Sequence, residues 1–485
     1  MHVGLIVLYC ILGVVGALLL FMIVRTAVVR PTKKEIERIS YEVDKNEAAD
    51  ILSGAVRIPT VTAYNEGDDQ TPFLRYHEYL EKKFPLIFAR AEKTVINNYS
   101  LVLKIQGKDP SLLPGCFLAH QDVVPATSDG WEVDPFAGEI KDGYVYGRGS
   151  QDMKSQLIAS LLGLELLLRE GKEPVRTIYY CFGHDEEFTG KEGAKYIVDY
   201  LLKNNIRFEF VVDEGGTMLD GKMIGIKDRY VALIGTCEKG YADYKLTATR
   251  DGGHASAPKK KSSVDEIAEA VYDLAHSPMK RTFSKPLKQM YRALAPYMNP
   301  IYKFFLINSD ILGPILKPAL GMINPLLNSA MRTTFAFTQL QGSDAPNVIP
   351  VKASAVVNVR INIGETRKDV MNHIQKVVGK KIEVSELENT FDPSPVSLTD
   401  TDTYAKLVRS IEEVYEGFVV APYPFIAATD SKWYYKVSNG VYRFTPFVYG
   451  SDDQKRIHGL NERCSIDGLG RAVEFYHRLM ENLCY

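Results

Sequence analysis

The sequence predicts an α/β protein in which a helix-covered, mostly parallel sheet forms the main domain and a ferredoxin-like α+β domain is inserted into it. Between Ala48 and about residue 238, apolar strand-like runs alternate with amphipathic helical segments, which is typical of a parallel sheet covered by helices. After Tyr241, the predicted elements follow the order β-α-β-β-α-β. Residues 3–24 are uncharged and long enough to cross a bilayer, so an N-terminal transmembrane helix completes the predicted fold.

The bulk properties of the chain narrow the class of protein. Its 485 residues allow two domains with ample cores, and its formal net charge of −2 gives no reason to expect nucleic acid as a partner. The six cysteines show no CxxC or zinc-finger spacing, and several lie in apolar runs. They are therefore interpreted as buried thiols rather than as a disulfide framework.

The apolar segment 3–24 is predicted to be an uncleaved, single-pass membrane anchor. A cleavable signal normally has a basic start, a shorter apolar core and an A-x-A-like exit, whereas here His2 is the only basic side chain before the run and no convincing cleavage site follows it. Arg25, Arg30 and Lys33 follow it, and the positive-inside rule would leave the rest of the chain in the cytoplasm. Cleavage and the side of the membrane stay open at this point.

Changes in the pattern predict four segments. The anchor and the start of its tether occupy residues 1–30, the main domain occupies 31–239 and 391–485, and the inserted domain occupies 240–390. Within the inserted domain, residues about 279–331 are rich in Pro, Met, Tyr, Phe and Leu. This insert is either additional core or an apolar surface that meets a fatty chain, a partner subunit or the membrane.

A histidine and an aspartate lie two positions apart at the end of an apolar run. Residues 116–119 indicate a buried strand, and ligands gather at the carboxyl ends of strands in α/β sheets. Because strand side chains alternate, His120 and Asp122 would face the same side, where a carboxylate can orient a metal-binding imidazole. The alternative is a structural His–Asp pair.

Further acidic residues follow turns or strands. Asp152 comes after the turn Gly147–Gly149 and before a helix that starts near Lys154, so it either points into the crevice or caps the helix. Glu186 and Glu187 follow the strand T-I-Y-Y-C-F. Adjacent carboxylates there are costly unless a cation neutralises them, in which case one binds metal and the other acts as a general base. The alternative is a pair of solvated acids.

Two more candidates complete the set. Asp213 follows another apolar strand, and His458 precedes a glycine near the C-terminal end. Together the candidates offer nitrogen and oxygen ligands without thiolates, which suits two zinc ions bridged by one carboxylate. Manganese and cobalt accept the same ligands, so the identity of the metal stays open.

The motifs H-Q-D, G-R-G-S-Q-D-M-K, D-E-E, V-D-E-G-G, G-G-H-A-S-A-P and H-G-L-N-E-R, in this order and spacing, resemble the peptidase M20 family. That family contains di-zinc aminoacylases and carboxypeptidases, and the resemblance runs from about residue 45 to the C-terminal end. F-D-P-S-P-V-S and R-I-H-G-L-N-E are more similar to one branch, which holds N-fatty-acyl-amino-acid synthase/hydrolases and vacuolar Gly-X carboxypeptidases. Members of this branch enter the secretory route, contrary to the positive-inside expectation.

The resemblance implies roles for the metal-site residues. Asp152 would bridge two zinc ions. His120 and Asp213 would hold one ion, and Glu187 and His458 would hold the other.

The resemblance also implies the reaction. Glu186 would act as general base and acid, taking a proton from water at the metal pair and returning it to the leaving nitrogen. Asp122 would orient His120. The family has a cis peptide after the bridging aspartate, which predicts one between Asp152 and Met153.

By the same resemblance, the inserted domain is the family's lid. His254 would contact the oxyanion, and since this residue comes from the other subunit in dimeric relatives, a homodimer is one arrangement to test. Arg360 and Asn347 match positions that bind the substrate carboxylate, for which the planar guanidinium is suited. The alternatives are a turn histidine and a surface ion pair on a strand.

The sequence therefore predicts a membrane-anchored, zinc-dependent hydrolase of the amide bond of N-acyl amino acids. The prediction includes substrates with long fatty-acyl chains and the reverse reaction, in which the acid and the amino acid condense. The runner-up is a Gly-X dipeptide carboxypeptidase with the same site. An inactive protein that only binds acyl amino acids is a more distant alternative, disfavoured by the complete ligand set.

Overall fold

The structure is a computed structural model that describes residues 2–31, 36–65, 67–323 and 325–485. The helices are α1 (His2–Val28), α2 (Lys45–Val56), α3 (Thr71–Lys83), α4 (Pro85–Arg90), α5 (Lys154–Arg169), α6 (Ala194–Lys203), α7 (Ser263–His276), α8 (Lys285–Leu294), α9 (Pro300–Ile307), α10 (Gly313–Ile323), α11 (Pro325–Met331), α12 (Arg367–Val378), α13 (Asp402–Val414), α14 (Ser451–Arg456) and α15 (Ile466–Cys484). Short 3-10 helices cover Gly221–Ile224, Ala295–Tyr297 and Asp430–Lys436.

The strands are β1 (Ala91–Ile96), β2 (Ser100–Ile105), β3 (Gly115–His120), β4 (Ile140–Lys141), β5 (Tyr144–Tyr146), β6 (Ile178–Gly183), β7 (Phe210–Asp213), β8 (Thr217–Asp220), β9 (Tyr230–Glu238), β10 (Gly240–Thr249), β11 (Gly253–His254), β12 (Thr334–Gln341), β13 (Val348–Ile349), β14 (Lys352–Ile361), β15 (Glu383–Glu386), β16 (Val419–Phe425), β17 (Val441–Arg443) and β18 (Arg463–Ser465).

The chain divides into two compact units. The larger unit comprises Thr32–Thr236, Val396–Tyr423 and Ala428–Tyr485, and the smaller unit comprises Met1–Pro31, Cys237–Pro395 and Pro424–Ala427. The larger unit is interrupted in sequence by the smaller one, so its last two segments return after a long excursion of the chain.

A nine-stranded sheet has the order β1-β2-β6-β3-β7-β17-β9-β16, with β8 paired to β9. Its central ladders, β6–β3, β3–β7 and β7–β17, are parallel, which confirms the α/β prediction for the part of the sheet that carries the candidate residues. The edge is antiparallel because β1 and β2 form a hairpin. Asn97 and Asn98 have φ of 45° and 68° there, the left-handed conformation that a tight hairpin turn requires.

Helices α5 and α15 form the main apolar layer of the larger unit. Every residue of α5 from Lys154 to Glu165 is buried, and α15 buries Leu469, Val473 and Met480 in the same core. The two helices approach closely at Gly163, where an added Cβ would lie 2.7 Å from the backbone nitrogen of His477. A side chain at this position would force the helices apart, so the glycine is required by packing.

The smaller unit contains a four-stranded antiparallel sheet in the order β12-β14-β10-β15. Helices α7 and α12 supply its apolar partners, including Ile267, Leu274 and Ile374. Both helices begin with a capping box, in which Ser262 and Thr366 satisfy backbone N–H groups that the first helical turn leaves free.

Helix α1 also belongs to the smaller unit. Its segment Val3–Val28 has a mean hydropathy of 2.9 and is long enough to cross a membrane, as fits either an anchor or a signal sequence. Its side chains from Val3 to Phe21 are exposed, whereas Met22 is buried. The predicted apolar insert folds into helices α8, α9, α10 and α11.

Candidate active site

The ends of three neighbouring strands bring candidate residues to one edge of the large sheet. In the parallel pairing of β3 and β6, His120 lies opposite Gly183, so Glu186 and Glu187 follow immediately beyond that edge. Strand β7, on the other side of β3, ends at Asp213. Parallel strands have their carboxyl ends together, and the site therefore forms where such sheets commonly bind ligands.

The carboxylate of Asp152 lies between two imidazoles. Its Oδ1 is 3.1 Å from Nε2 of His120, and its Oδ2 is 3.1 Å from Nε2 of His458. A carboxylate that presents one oxygen to each of two ring nitrogens has the arrangement needed to bridge two cations. His458 has a φ of 58°, an uncommon conformation for a residue other than glycine.

Asp152 does not cap the helix that follows it. Met153 is the N-cap residue of α5 and makes no side-chain cap bond, while the carboxylate of Asp152 points to the two histidines. The peptide between Asp152 and Met153 is cis, as predicted. Gly149 in the preceding turn has a φ of 86°, which explains the need for glycine there.

Each histidine is accompanied by a glutamate. Oε2 of Glu187 is 2.9 Å from Nε2 of His458, and Oε1 of Glu214 is 3.5 Å from Nε2 of His120. Ligand atoms of His120, Asp152 and Glu187 lie within 4.8 Å of one another, as do those of His120, Glu186 and Glu214. The two groups share His120, and each could hold a metal ion.

The predicted ligand Asp213 does not join this cluster. Its carboxylate Oδ2 accepts the backbone N–H of Ser431 at 3.0 Å, and Asp213 is absent from both potential metal-binding groups found among the described residues. Successive side chains at a strand end face opposite sides, so only one of Asp213 and Glu214 can reach the site. Glu214, which sequence reasoning missed, is thus the carboxylate that the structure brings to His120, and the assignment of Asp213 as a metal ligand stays a prediction.

Asp122 connects the histidine to the acidic loop. Its Oδ1 accepts the backbone N–H of Glu186 at 3.2 Å, and its Oδ2 accepts that of Glu187 at 3.0 Å and the hydroxyl of Thr62. Nδ1 of His120 is 2.9 Å from the backbone oxygen of Asp122 and 3.4 Å from its carboxylate. Asp122 thus orients the ring mainly through its carbonyl, while its carboxylate positions the two glutamates.

The electrostatics of the cluster indicate that it is built for cations. Burial raises the pKa of Glu186 to about 8, and burial together with the neighbouring Asp152 raises the pKa of Glu187 to about 7. Hydrogen bonds to Asp152 and Glu187 raise the pKa of His458 to about 10. A proton on Glu186 and the positive charge of protonated His458 thus offset the negative charge of the cluster, a role that a bound metal would take over.

A further observation fits a metal at this position. Oε1 of Glu187 is buried and has no hydrogen-bond partner within the described ranges. An unsatisfied carboxylate oxygen in the interior is costly unless a cation faces it. The donors are imidazole nitrogens and carboxylate oxygens, which zinc and similar divalent ions accept.

Glu462 supports the loop of Asp152 and was also missed from the sequence. Its Oε1 accepts the backbone N–H groups of Gln151 at 2.8 Å and Asp152 at 3.1 Å, and its Oε2 pairs with the guanidinium of Arg148. Arg148 is 4% exposed and Glu462 is fully buried. The motif H-G-L-N-E-R contains this glutamate, but local spacing carries no signal for its distant partners.

The remaining predicted residues lie in the smaller unit. His254 and Asn347 are neighbours, because His254 pairs with Val348 across the β11–β13 ladder and Ala255 donates its N–H to the Asn347 carbonyl at 3.0 Å. His254 is exposed, and its Nδ1 is 2.7 Å from Oγ of Ser256. The Arg360 guanidinium lies 4.8 Å from the ring centre of Tyr241, and burial lowers its pKa.

The α/β fold and the cluster of histidines and carboxylates at its strand ends are those of a metal-dependent hydrolase. The chain belongs to Peptidase family M20/M25/M40, whose model matches residues 116–482. The family predicted from the motifs is thereby confirmed.

Curated relatives and solved structures agree with this assignment. The N-fatty-acyl-amino acid synthase/hydrolase PM20D1 of Xenopus tropicalis is 39% identical over 446 residues, covering 91% of this chain and 86% of that protein. Probable carboxypeptidase S-like 2 of Dictyostelium discoideum is 34% identical over 443 residues, covering 90% and 85%. The M20 family metallo-carboxypeptidase Sso-CP2 from Sulfolobus solfataricus superposes with a TM-score of 0.67 at 18% identity, over 91% of this chain and 99% of that one. At this identity the superposition shows a shared fold.

Proposed function

We propose that the protein hydrolyses the amide bond of N-acyl amino acids and uses two zinc ions to do so. The observation that carries this proposal is the placement of Asp152, with one carboxylate oxygen facing His120 and the other facing His458. His120 and Glu214 would hold one ion, Glu187 and His458 would hold the second, and Asp152 would bridge them.

The chain's own residues would carry out the proton transfers of the reaction. When bound, two zinc ions would supply a water of lowered pKa and would polarise the substrate carbonyl. Glu186 would take the proton from the attacking water and give it to the leaving nitrogen, because a carboxyl group with a pKa near neutrality can do both. The N–H of Glu186 donates to Asp122, which would hold this residue in place during both transfers.

The substrate class rests on the relatives. PM20D1 of Xenopus tropicalis is named for N-fatty-acyl-amino acids, which favours an acyl amino acid, with a long acyl chain and reversible condensation as the finer proposal. The Dictyostelium relative is named a probable carboxypeptidase, which supports the second candidate, a Gly-X dipeptide carboxypeptidase. Both activities use the same site and differ in the group on the acyl side.

We assign the smaller unit the role of a lid. Its β-α-β-β-α-β order is that of a ferredoxin-like fold, with boundaries near residues 240 and 390. His254 would donate to the oxyanion, and Arg360 with Asn347 would bind the substrate carboxylate. A homodimer in which His254 serves the partner's site is part of this proposal. Helix α1 would anchor the protein in a membrane.

The test uses the purified full-length chain in detergent. Release of free amino acid is measured from oleoyl-phenylalanine, acetyl-phenylalanine and Gly-Leu, with and without a chelator. Glu186→Gln is compared with Glu416→Gln, which changes an exposed carboxylate in the larger unit. Cleavage that is lost with chelator and in Glu186→Gln, but kept in Glu416→Gln, supports the mechanism.

The preferred substrate then separates the candidates. Faster release from oleoyl-phenylalanine supports the acyl amino acid hydrolase, and faster release from Gly-Leu supports the dipeptidase. Failure of the metal-loaded protein to cleave any of the three, while it still binds oleoyl-phenylalanine, would replace the enzyme with a binding protein.

A further inference from the structure

Helix α9 and the start of α10 expose a set of large apolar side chains. Ile301 is 67% exposed, Tyr302 is 53% exposed and Phe305 is 39% exposed, and Ile315 on α10 is 72% exposed. Residues 301, 302 and 305 lie on one side of α9, because residues three or four apart are neighbours on a helix. We call Ile301, Tyr302 and Phe305 the α9 face. Apolar residues grouped in this way mark a surface that meets another apolar phase.

The end of α9 is attached to the end of the apolar helix α1. Asn308 is fully buried, and its Nδ2 donates to the carbonyl of Met22 at 3.3 Å and to Oγ1 of Thr26 at 3.0 Å. Two residues later, both carboxylate oxygens of Asp310 accept from Nη1 of Arg25, at 2.8 and 3.0 Å. Met22, Arg25 and Thr26 follow the helical spacing, so α1 uses one face for this contact.

This contact lies at the level where α1 would leave a bilayer. Residues 3–24 span about 33 Å as a helix, and the hydrocarbon core of a bilayer is about 30 Å thick. The Arg25–Asp310 ion pair would therefore sit just outside the hydrocarbon, and Met22 just inside it. Ile301 is seven residues before Asn308, which corresponds to about 10 Å of helix. The whole α9 face is thus confined to the neighbourhood of the membrane boundary.

We propose that the α9 face is a second membrane contact, which lies in the interfacial layer of the leaflet that α1 leaves. The inference rests on α1 being a membrane segment. The chemistry of α9 fits this layer, since its sequence P-I-Y-K-F-F-L-I combines aliphatic and aromatic side chains with a single cation. Tyrosine and lysine both favour the interface, where an apolar body can be buried and a polar end can reach water.

A lipid surface is favoured over a protein partner because of the attachment to α1. A helix held at the membrane boundary by a buried asparagine and an ion pair already has lipid as its nearest apolar phase. Interfacial helices bury their apolar face about 5–10 Å into this region, which matches the depth that the contact allows. The α9 face would then fix how the smaller unit stands on the membrane, which α1 alone cannot do.

The experiment places an environment-sensitive fluorophore on single exposed cysteines of the full-length chain in phosphatidylcholine vesicles. Cys10 is the exposed native cysteine, and the other five are buried. Labelled wild type reports on α1. In a Cys10→Ser background, Ile301→Cys reports on the α9 face, and Tyr272→Cys is the matched control at a similarly exposed position, 63%, on α7.

The proposal expects lipids with a quencher in mid-chain to quench the label at Cys10, which lies about 10 Å inside the hydrocarbon, and lipids with a quencher near the glycerol to quench the label at Ile301→Cys, while the label at Tyr272→Cys stays bright with both. Quenching at Cys10 without quenching at Ile301→Cys would overturn the proposal and leave the anchor intact. Absence of quenching at both positions would overturn the anchor as well. Equal quenching at Ile301→Cys and Tyr272→Cys would also overturn the proposal, because the label itself would then be partitioning into lipid.

Discussion

Replacing Glu462 by glutamine tests whether a buried ion pair holds the loop of Asp152 in place. The substitution keeps the size of the side chain and one oxygen that can accept from the backbone N–H groups of Gln151 and Asp152. It removes the negative charge that faces Arg148, which is 4% exposed. The guanidinium cannot lose its proton at ordinary pH, so its charge would be left buried without a counter-ion.

The expected magnitude follows from this loss. Breaking a buried ion pair by removing one partner typically costs about 3–5 kcal/mol. Arg148 retains a hydrogen bond from Nη2 to the Gly459 carbonyl at 3.1 Å, which favours the lower end, about 3 kcal/mol. Arg148→Met should cost less, since Glu462 keeps both backbone donors. The double variant should be more stable than Glu462→Gln alone, because it contains no unpaired charge.

Tryptophan fluorescence gives a readout that is specific to the larger unit. The chain has two tryptophans, Trp131 and Trp433, and both lie in that unit. Urea unfolding of the full-length chain in detergent, followed by this signal, gives the free energy of unfolding of the unit. Because Arg148 lies 5.4 Å from the Trp131 ring, the variants should be compared by transition midpoint rather than by intensity.

An exposed ion pair provides the control. Lys195 and Asp199 form an i,i+4 pair at 2.8 Å in the same unit, with side chains 42% and 53% exposed. Asp199→Asn should change the free energy of unfolding by less than about 0.5 kcal/mol. A cost for Glu462→Gln no larger than this control, or a double variant as unstable as the sum of the single ones, would refute the role given to the buried pair.

Three further predictions address other parts of the larger unit. Glu214→Gln should lower zinc affinity by at least about 100-fold, because Glu214 faces His120. Asp213→Asn should change zinc affinity little, because the amide keeps an acceptor for a backbone N–H outside the cluster. The zinc content of each variant is measured after dialysis, and a larger loss in Asp213→Asn than in Glu214→Gln would support Asp213 as the ligand. Burial lowers the pKa of His77 to about 4 in the folded chain. As the pH falls, the unfolded chain therefore protonates this histidine before the folded chain does. The free energy of unfolding should then fall by about 3 kcal/mol between pH 6.5 and about pH 4. His77→Gln should remove this part of the loss in urea titrations, and an unchanged pH dependence would contradict the assignment. Thr401 is the N-cap of α13, and its hydroxyl accepts the N–H of Tyr404. Thr401→Ala should lower the free energy of unfolding by about 1 kcal/mol, and Thr401→Ser, which keeps the hydroxyl, should lower it less. Equal losses in the two variants would show that the cap is not the cause.

The parts of the site that could be predicted from the sequence are those where chemistry and local pattern coincide. His120, Asp152 and Glu187 each follow an apolar run or a glycine turn, and the structure brings them together with His458. The choice between Asp213 and Glu214 could not be made this way, because it depends on which residue ends the strand, and a shift of one residue exchanges the two faces. To choose between the two residues, the end of the strand would have to be predicted to within a single residue.

Contacts between distant segments could not be predicted from local sequence patterns. The pairing of Arg148 with Glu462 joins residues more than three hundred positions apart, and neither residue differs locally from a surface ion pair. The same limit applies to Asn308 and Met22. The antiparallel edge of the large sheet was accessible in principle, since Asn97-Asn98 between two short strands is a recognisable hairpin signal.

The interruption of the larger unit by the smaller one has a consequence for biosynthesis. His120, Asp152, Glu187 and Glu214 are translated before the long segment Cys237–Pro395 of the smaller unit, whereas His458 and the core helix α15 come after it. A nascent chain that has reached residue 236 therefore exposes most of the acidic cluster without the histidine that faces Oδ2 of Asp152. It also lacks the helix that packs on α5. The larger unit can therefore complete its core and its cluster only after residues 237–395 have been synthesised.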